Sequence, residues 1–248
     1  MFLLEDIANF LLKNPPKLQI EDLRIGLRYT GAKLSDGSGG IAFSYISDLF
    51  VEKNIFLPRV FNEIPIHEIL KAIIDSKRTF TSVIGTAVIN AISNSRQLKY
   101  EHGDIFDFLD LKKTDFAIMI GDIHPLVPKV KDMVKKLLVF ERARAPHTPL
   151  LPDWMAPKYL IKADVVLFTG ASVINRTFDQ LIPYAKNARI IAVVGPSTPL
   201  YPDFYKTRGV TYIAGVRITN SDRMLDIISA GGGTHDLSKV TEKVVIEV

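Results

Sequence analysis

Apolar positions recur along this chain at two different spacings, and the change comes near residue 110. Leu3, Ile7, Phe10 and Leu11 follow the helical period, so Met1 to Asn14 is read as an amphipathic helix with a core-facing stripe. Leu23 to Tyr29 alternates as a strand does. Gly31, Gly37, Gly39 and Gly40 then interrupt the pattern before Ile41 to Tyr45 resumes it, which predicts a hairpin with a long glycine-rich loop. Two helices are predicted next: Ile66 to Asp75 behind Pro65, and Thr81 to Ser93. Val83, Ile84, Ala87, Val88, Ala91 and Ile92 give the second a face wide enough to imply burial.

From about Thr114 the pattern turns to short apolar runs without alternation, spaced by roughly twenty residues, as parallel strands joined by crossover helices require. The runs are Phe116 to Ile120, Leu137 to Phe140, Val165 to Thr169, Ile190 to Val194 and Thr211 to Ala214. Helices are predicted at Leu126 to Lys136, Ala156 to Ile161, Val173 to Ala185 and Ser221 to Ala230. Each run is followed by a glycine or an acid: Gly121, Glu141, Gly170, Gly195 and Gly215. Open parallel sheets bind ligands outside the carboxyl ends of their strands, so these positions are the first candidates for a site. The expected class is α/β, a small α+β unit over 1–110 followed by an open parallel sheet with helices on both faces over 111–248.

Composition narrows the function classes. The chain has 248 residues, 31 Lys plus Arg against 27 Asp plus Glu, and no cysteine. A net charge of +4 does not announce nucleic acid, and 47% apolar with 23% charged residues is the composition of a folded globular chain. Without cysteine there are no disulfides, thiolate zinc sites, iron–sulfur clusters or cysteine nucleophiles. No apolar run reaches the ~18 residues of a membrane span, and Glu5 and Asp6 stand where a secretory signal carries positive charge, so a cytoplasmic protein is expected. Lys129, Lys131, Lys135 and Lys136 oppose a valine-rich side and read as a solvated helix face.

Gly121-Asp122-Ile123-His124-Pro125 ends the first run, and Glu141 ends the second, where a dinucleotide site places its ribose-binding acid. Only the first glycine of G-x-G-x-x-G is present, and Pro125 stands where a helix would offer N–H groups, so a conventional NAD site is disfavoured. In Gly170-Ala-Ser172-Val-Ile-Asn175-Arg-Thr177, Ser172 reads as a helix N-cap, while Asn175 and Thr177 are free to contact a ligand. Gly195-Pro196-Ser197-Thr198-Pro199 begins a proline-framed loop suited to holding a ligand, and it lacks the second glycine of a nucleophile elbow. Asn175 and Ser197 are needed by neither a helix nor a proline turn, so alanine there is expected to weaken binding and leave stability unchanged. The five histidines, His67, His102, His124, His147 and His235, show no paired spacing on one helix face. Asp122, His124 and Glu141 are the metal or proton-transfer candidates.

The series Val-Phe-Glu141-Arg142, Leu150-Leu151-Pro152-Asp153, Gly170 to Thr177, Gly195 to Pro199 and Gly231-Gly-Gly resembles a prokaryotic family described as a "putative heavy-metal chelation" domain. Ser82-Val-Ile-Gly85-Thr-Ala87-Val-Ile-Asn90-Ala91 extends the resemblance over nearly the whole chain. The resemblance implies an enolase N-terminal-like domain before a Rossmann-like domain, with the active site in the cleft between them and Gly85 and Asn90 as first-domain candidates. Lacking cysteine, such a cleft suits histidine, carboxylate or backbone oxygen around a harder divalent metal, or a metal already chelated.

The expected function is therefore binding of a small anionic ligand or metal chelate in an interdomain cleft. Gly121, Gly170 and Gly195 would let backbone approach closely, Ser172, Asn175, Thr177, Ser197 and Thr198 would hydrogen-bond, Arg142 would pair with negative charge, and Pro196 is a further ligand-binding candidate. The rival is an enzyme using NAD or S-adenosylmethionine in the same crevice. Neither reading calls for nucleic acid or a membrane, and both allow a homo-oligomer.

Overall fold

The computed structural model describes residues 2–46, 63–75, 78–142 and 150–248; His147 lies outside them. The chain opens with helix α1 (Leu3–Lys13), whose Leu3, Leu4, Ile7, Ala8 and Leu11 are buried. Phe10, expected in that stripe, is exposed and meets Phe204 edge-on.

In place of a hairpin with a glycine loop there is a three-stranded antiparallel meander, β1 (Ile20–Ile25), β2 (Tyr29–Leu34) and β3 (Gly39–Phe43). Gly31, Gly39 and Gly40 are strand residues, because helices press on both faces of this small sheet. At Gly40 a Cβ would stand 2.1 Å from the Ala91 nitrogen and 2.3 Å from the Ala87 oxygen, so only glycine admits the helix there. That helix is α3 (Thr79–Asn94), which follows α2 (Ile66–Asp75) and is buried at every residue from Thr81 to Asn94. It packs against β2, β3, α1 and α2.

The second sheet has eight strands: β4 (Glu101–His102), β5 (Phe116–Ile120), β6 (Lys136–Glu141), β7 (Leu151–Pro152), β8 (Val165–Thr169), β9 (Ile190–Val194), β10 (Tyr212–Ile218) and β11 (Thr241–Glu247). Their order is β4-β11-β10-β9-β8-β5-β6-β7, with β5 to β10 parallel and, at one edge, β11 antiparallel to both its neighbours β10 and β4. Since β4 precedes residue 110 and joins this sheet, the chain crosses from one sheet to the other between Asn94 and Glu101. The connecting helices are α4 (Val127–Met133), α5 (Ala156–Leu160), α6 (Ala171–Ile174), α7 (Thr177–Leu181), α8 (Pro202–Lys206), α9 (Ser221–Ser229) and α10 (Thr234–Leu237).

Both faces of the parallel strands are covered, which is why their sequence does not alternate. Ile118, Ile120, Val166, Phe168, Ile191 and Val193 belong to the core shared with α1, α2 and α3. Ala117, Met119, Val165, Leu167, Ala192 and Val194 pack with Leu126 and Val130 on the other face. Helix α9 reaches back to cover the outer face of the small sheet, joining Met224, Leu225 and Ile228 to Tyr29 and Ile41.

Four expected elements differ. Helix α4 is shorter than expected, and Lys136 begins β6. Strand β10 runs on to Ile218 because β11, which the sequence pattern does not reveal, pairs with it throughout; Gly215 is therefore mid-strand. The helix expected over Val173 to Ala185 is broken at Arg176, which adopts φ 63°, ψ 10°. Ser172 lies inside α6, where its hydroxyl donates to the Thr169 carbonyl (2.6 Å), and Gly170 holds the N-cap position. No helix among the described residues is long and apolar enough to cross a membrane.

Candidate functional site

The side on which successive strands are added reverses between β5 and β8: β6 and β7 lie to one side of β5, while β8, β9 and β10 follow on the other. The loops leaving β5 and β8 therefore diverge and open a crevice at their carboxyl ends. Three glycines bring these loops into line. The Gly121 N–H donates to Phe140 O (2.8 Å), that of Gly170 to Val194 O (2.7 Å), and that of Gly195 to Ala214 O (2.9 Å). Gly121 and Gly195 do this at φ +88° and +128°, which side-chain-bearing residues rarely adopt.

The small sheet closes the crevice from above, leaving a cleft of about 730 Å³. Its upper wall is Leu27, Tyr29, Phe43, Tyr45 and Ile46; Phe43 meets Tyr29 and Tyr45 edge-on, with ring centroids 6.1 and 5.0 Å away. The lower wall gathers Gly121, Asp122, Glu141, Arg142, Asp153, Thr169, Ala171, Ser172, Asn175, Thr177, Gly195, Pro196 and Ser197.

Several of these side chains join the walls. Ser197 Oγ accepts the Phe43 N–H (2.9 Å). The Tyr45 hydroxyl donates to Ala171 O (2.9 Å) and receives Asn175 Nδ2 (2.9 Å), while Asn175 Oδ1 accepts the Thr177 N–H (3.0 Å). Asn175 and Ser197, expected to be free of structural duty, thus tie the small sheet to the loops of the large one. Arg176 ties the same loop to helices α3, α2 and α1, donating to Ser82 Oγ (3.0 Å) and Ile73 O (3.2 Å), with Glu5 at 3.6 Å.

Among the described residues, the charged groups lining the cleft are three carboxylates and one guanidinium. Glu141 Oε2 accepts the Asp122 N–H (2.9 Å) and its Oε1 the Arg142 N–H (2.7 Å), so the acid at the end of β6 fixes the loop after β5. Arg142 is paired with Asp153 (3.1 Å) and reaches Thr177 Oγ1 (3.4 Å). Asp122 Oδ1 is buried without a hydrogen-bond partner among the described residues. Burial pushes the Tyr29 hydroxyl above its ordinary pKa, opposed by its hydrogen bond with Thr234.

Other expected site residues lie elsewhere. Gly85 is pressed against Ile73 inside the first unit, where a Cβ would come within 2.3 Å of Ile73 Cδ1. Asn90 is buried and donates to Ile41 O (2.8 Å), holding α3 on β3, and is not part of the cleft lining. Gly170 and Thr198 pack on each other behind the wall, a Cβ on Gly170 falling 2.4 Å from Thr198 Oγ1. His124 faces a neighbouring cavity of about 480 Å³. Phe43, Tyr45 and Tyr29 were not singled out as site residues, since aromatic residues in a strand read as core; Phe43 and Tyr45 at i and i+2 were the available signal.

Among the described residues no three His, Asp or Glu side chains gather as metal ligands, and the sequence offers no thiolate. Glu141 is committed to two backbone N–H groups and Asp153 to Arg142. This donor set does not fit a bare soft metal ion.

Comparison with known proteins agrees with the fold. The chain superposes on a protein of unknown function from the DUF364 family of Pyrococcus horikoshii with a TM-score of 0.88, 26% identity and full coverage of both chains. A DUF364-family protein from Desulfitobacterium hafniense shares the fold at a TM-score of 0.81 and 21% identity, over 99% of this chain and 98% of that one. "Uncharacterized protein MJ0500" of Methanocaldococcus jannaschii is 28% identical over 181 residues, 70% of this chain and 69% of that protein. Residues 8–93 match the DUF4213 model, described as "Putative heavy-metal chelation". Residues 104–247, more than half of the chain, match the DUF364 model of the same description, and the chain belongs to that family.

Proposed function

We propose that this protein binds a small, positively charged metal chelate in the cleft between its two sheets, acting in the cytoplasm. The observation that carries this reading is the charge of the lining among the described residues, Asp122, Glu141 and Asp153 against Arg142, with the Arg142 guanidinium already on Asp153. Among the described residues the acidic groups of this lining outnumber the basic ones, which disfavours the anionic half of the expectation. A bare ion would find no three-ligand cluster among the described residues, whereas a chelate brings its own coordination shell and needs only charge and hydrogen-bond complementarity.

Tris(ethylenediamine)cobalt(III), an inert cationic chelate, tests this beside zinc ion alone and anionic ferric citrate. A ligand at about 100 times its dissociation constant stabilises by ~2.7 kcal/mol, readily seen in a melting curve. The cationic chelate should raise the melting temperature, and Glu141→Gln should reduce the rise. Stronger stabilisation by ferric citrate would refute the reading.

A second reading has its own observation. Counted from β5, the parallel strands run 3-2-1-4-5-6, the order of the doubly wound Rossmann-like sheets, and Glu141 ends the second strand, where such sheets carry a ribose-binding acid. Stabilisation by NAD or S-adenosylmethionine, lost in Glu141→Gln, would favour an enzyme using that cofactor.

A further inference from the structure

The two walls of the cleft differ in chemistry. The loops of the large sheet bring polar and acidic groups, whereas the small sheet brings Leu27, Tyr29, Phe43, Tyr45 and Ile46. Two of these are left largely uncovered by the protein: Leu27 is 72% exposed and Phe43 39%. Single apolar side chains on a convex surface need no explanation, but these line one concave wall opposite a wall that carries carboxylates.

The apolar wall is set in place by the fold. Tyr29 and Tyr45 both meet Phe43 edge-on, at interplanar angles of 85° and 87°, so among the described residues no ring lies flat against it. The Tyr45 hydroxyl bonds Ala171 O and Asn175 Nδ2, both at 2.9 Å, and its backbone sits at φ 45°. Residues with side chains reach that region only with strain, and strain of this kind gathers where a side chain must be held in one position. Leu27 rests on Gly231, where a Cβ would come within 3.4 Å of its Cδ1. Side chains positioned before a ligand arrives lose little freedom on binding it.

We propose that the chelate taken by this cleft is planar and conjugated, a metal cation held by heteroaromatic nitrogen, with its flat face on Phe43 and Leu27 and its charge turned to the acidic wall. This rests on the function proposed above and names the class of its ligand. Metal binding draws electrons from such a ring, and an electron-poor face is attracted by the negative face of a phenyl ring. The acidic wall needs no vacant carboxylate for this, because the chelator already coordinates the metal and the wall supplies only its field. An aliphatic amine chelate of equal charge has no flat face to offer the apolar wall. The cleft, at about 730 Å³, is within the range of roughly 300–1,000 Å³ found for small-molecule sites.

Two inert platinum(II) complexes of the same charge isolate this proposal when titrated calorimetrically against the intact chain: bipyridine(ethylenediamine)platinum(II), half of it aromatic, and bis(ethylenediamine)platinum(II), wholly aliphatic. The aromatic complex should bind at least about tenfold tighter. Phe43→Leu should remove most of that gain and leave the aliphatic complex unaffected. Leu27→Ser, at an exposed turn position, should keep the melting temperature and reduce the gain about threefold. Free bipyridine, flat but uncharged, should bind at least about tenfold more weakly than its platinum complex.

Equal affinity of the two complexes overturns the planar ligand and leaves the preference for a cationic chelate standing. Binding of the cobalt chelate with neither platinum complex does the same. Full aromatic gain in both variants overturns the role of Phe43 and Leu27. Bipyridine binding as tightly as its complex overturns the role of charge, and with it the function proposed above. Failure of the cobalt chelate and both platinum complexes overturns that function and this inference together.

Discussion

Arg176 offers the sharpest test of how the cleft is held together. It sits in the left-handed region at φ 63°, between Asn175 and Thr177, and its guanidinium lies within the first unit. Two hydrogen bonds hold it, to Ser82 Oγ at 3.0 Å and Ile73 O at 3.2 Å, and Glu5 Oε1 is 3.6 Å away. The Arg176 and Glu5 side chains are 11% and 14% exposed, so this pair is nearly buried. At an effective dielectric of ~20 the Coulomb attraction at that separation is roughly 4–5 kcal/mol, and desolvation of both ions offsets much of it.

Arg176→Met keeps most of the stem but leaves Glu5 without its cation and two acceptors without their donor. Breaking a buried pair from one side is destabilising by ~3–5 kcal/mol, and the residual exposure here argues for the lower end. Urea unfolding at neutral pH should therefore show a loss of about 3 kcal/mol at unchanged m-value. A double-mutant cycle with Glu5→Gln should give a coupling of roughly 1–2 kcal/mol. Arg176→Gly removes the left-handed strain of ~1 kcal/mol yet loses the same partners, so it too should be destabilised. A loss under about 1 kcal/mol in Arg176→Met, or zero coupling to Glu5, would refute the reasoning and leave the turn to be explained by backbone preferences.

Gly40→Ala sets a Cβ 2.1 Å from backbone nitrogen of Ala91, where no side-chain rotation relieves the clash, and should lower stability by at least about 3 kcal/mol; an unchanged melting temperature would refute the close approach. Ser197→Ala removes the acceptor of the Phe43 N–H, so differential scanning calorimetry should show a loss of about 1 kcal/mol, or ~2–4 °C for a chain of this size, and no change would leave Ser197 to a ligand. Burial raises the Asp179 carboxyl, against the Leu3 N–H and Arg208 that favour its charged form, so the folded chain holds that proton more tightly than the unfolded one. Its contribution is then fully present below the ordinary aspartate pKa and is lost as pH climbs through the raised value. The stability of wild type minus that of Asp179→Asn should accordingly fall over this window, and a rise would reverse the sign of the argument.

The sequence alone determined the elements whose environment is uniform along their length. The runs Phe116–Ile120, Val165–Thr169 and Ile190–Val194 are strands β5, β8 and β9 to the residue, because a strand covered on both faces is apolar at every position. Helix α2 was equally legible from its period and from Pro65 before it. The clustering of Gly121, Glu141 and Gly195 followed from one parallel sheet having one carboxyl edge.

Tertiary structure decided whatever depends on a partner distant in the chain. Gly40 looked like loop until α3, some fifty residues on, was seen pressing on it. A single apolar period over Val173 to Ala185 gave no warning of the break at Arg176, whose guanidinium partners come from α1, α2 and α3. β10 reached Ile218 because β11 returned beside it. Asn175 and Ser197 looked free for a ligand only because Tyr45 and Phe43, their partners, lie more than a hundred residues earlier. Periodicity records which side of an element is buried, but not what buries it, and a polar side chain at a junction takes its role from the surface that arrives opposite.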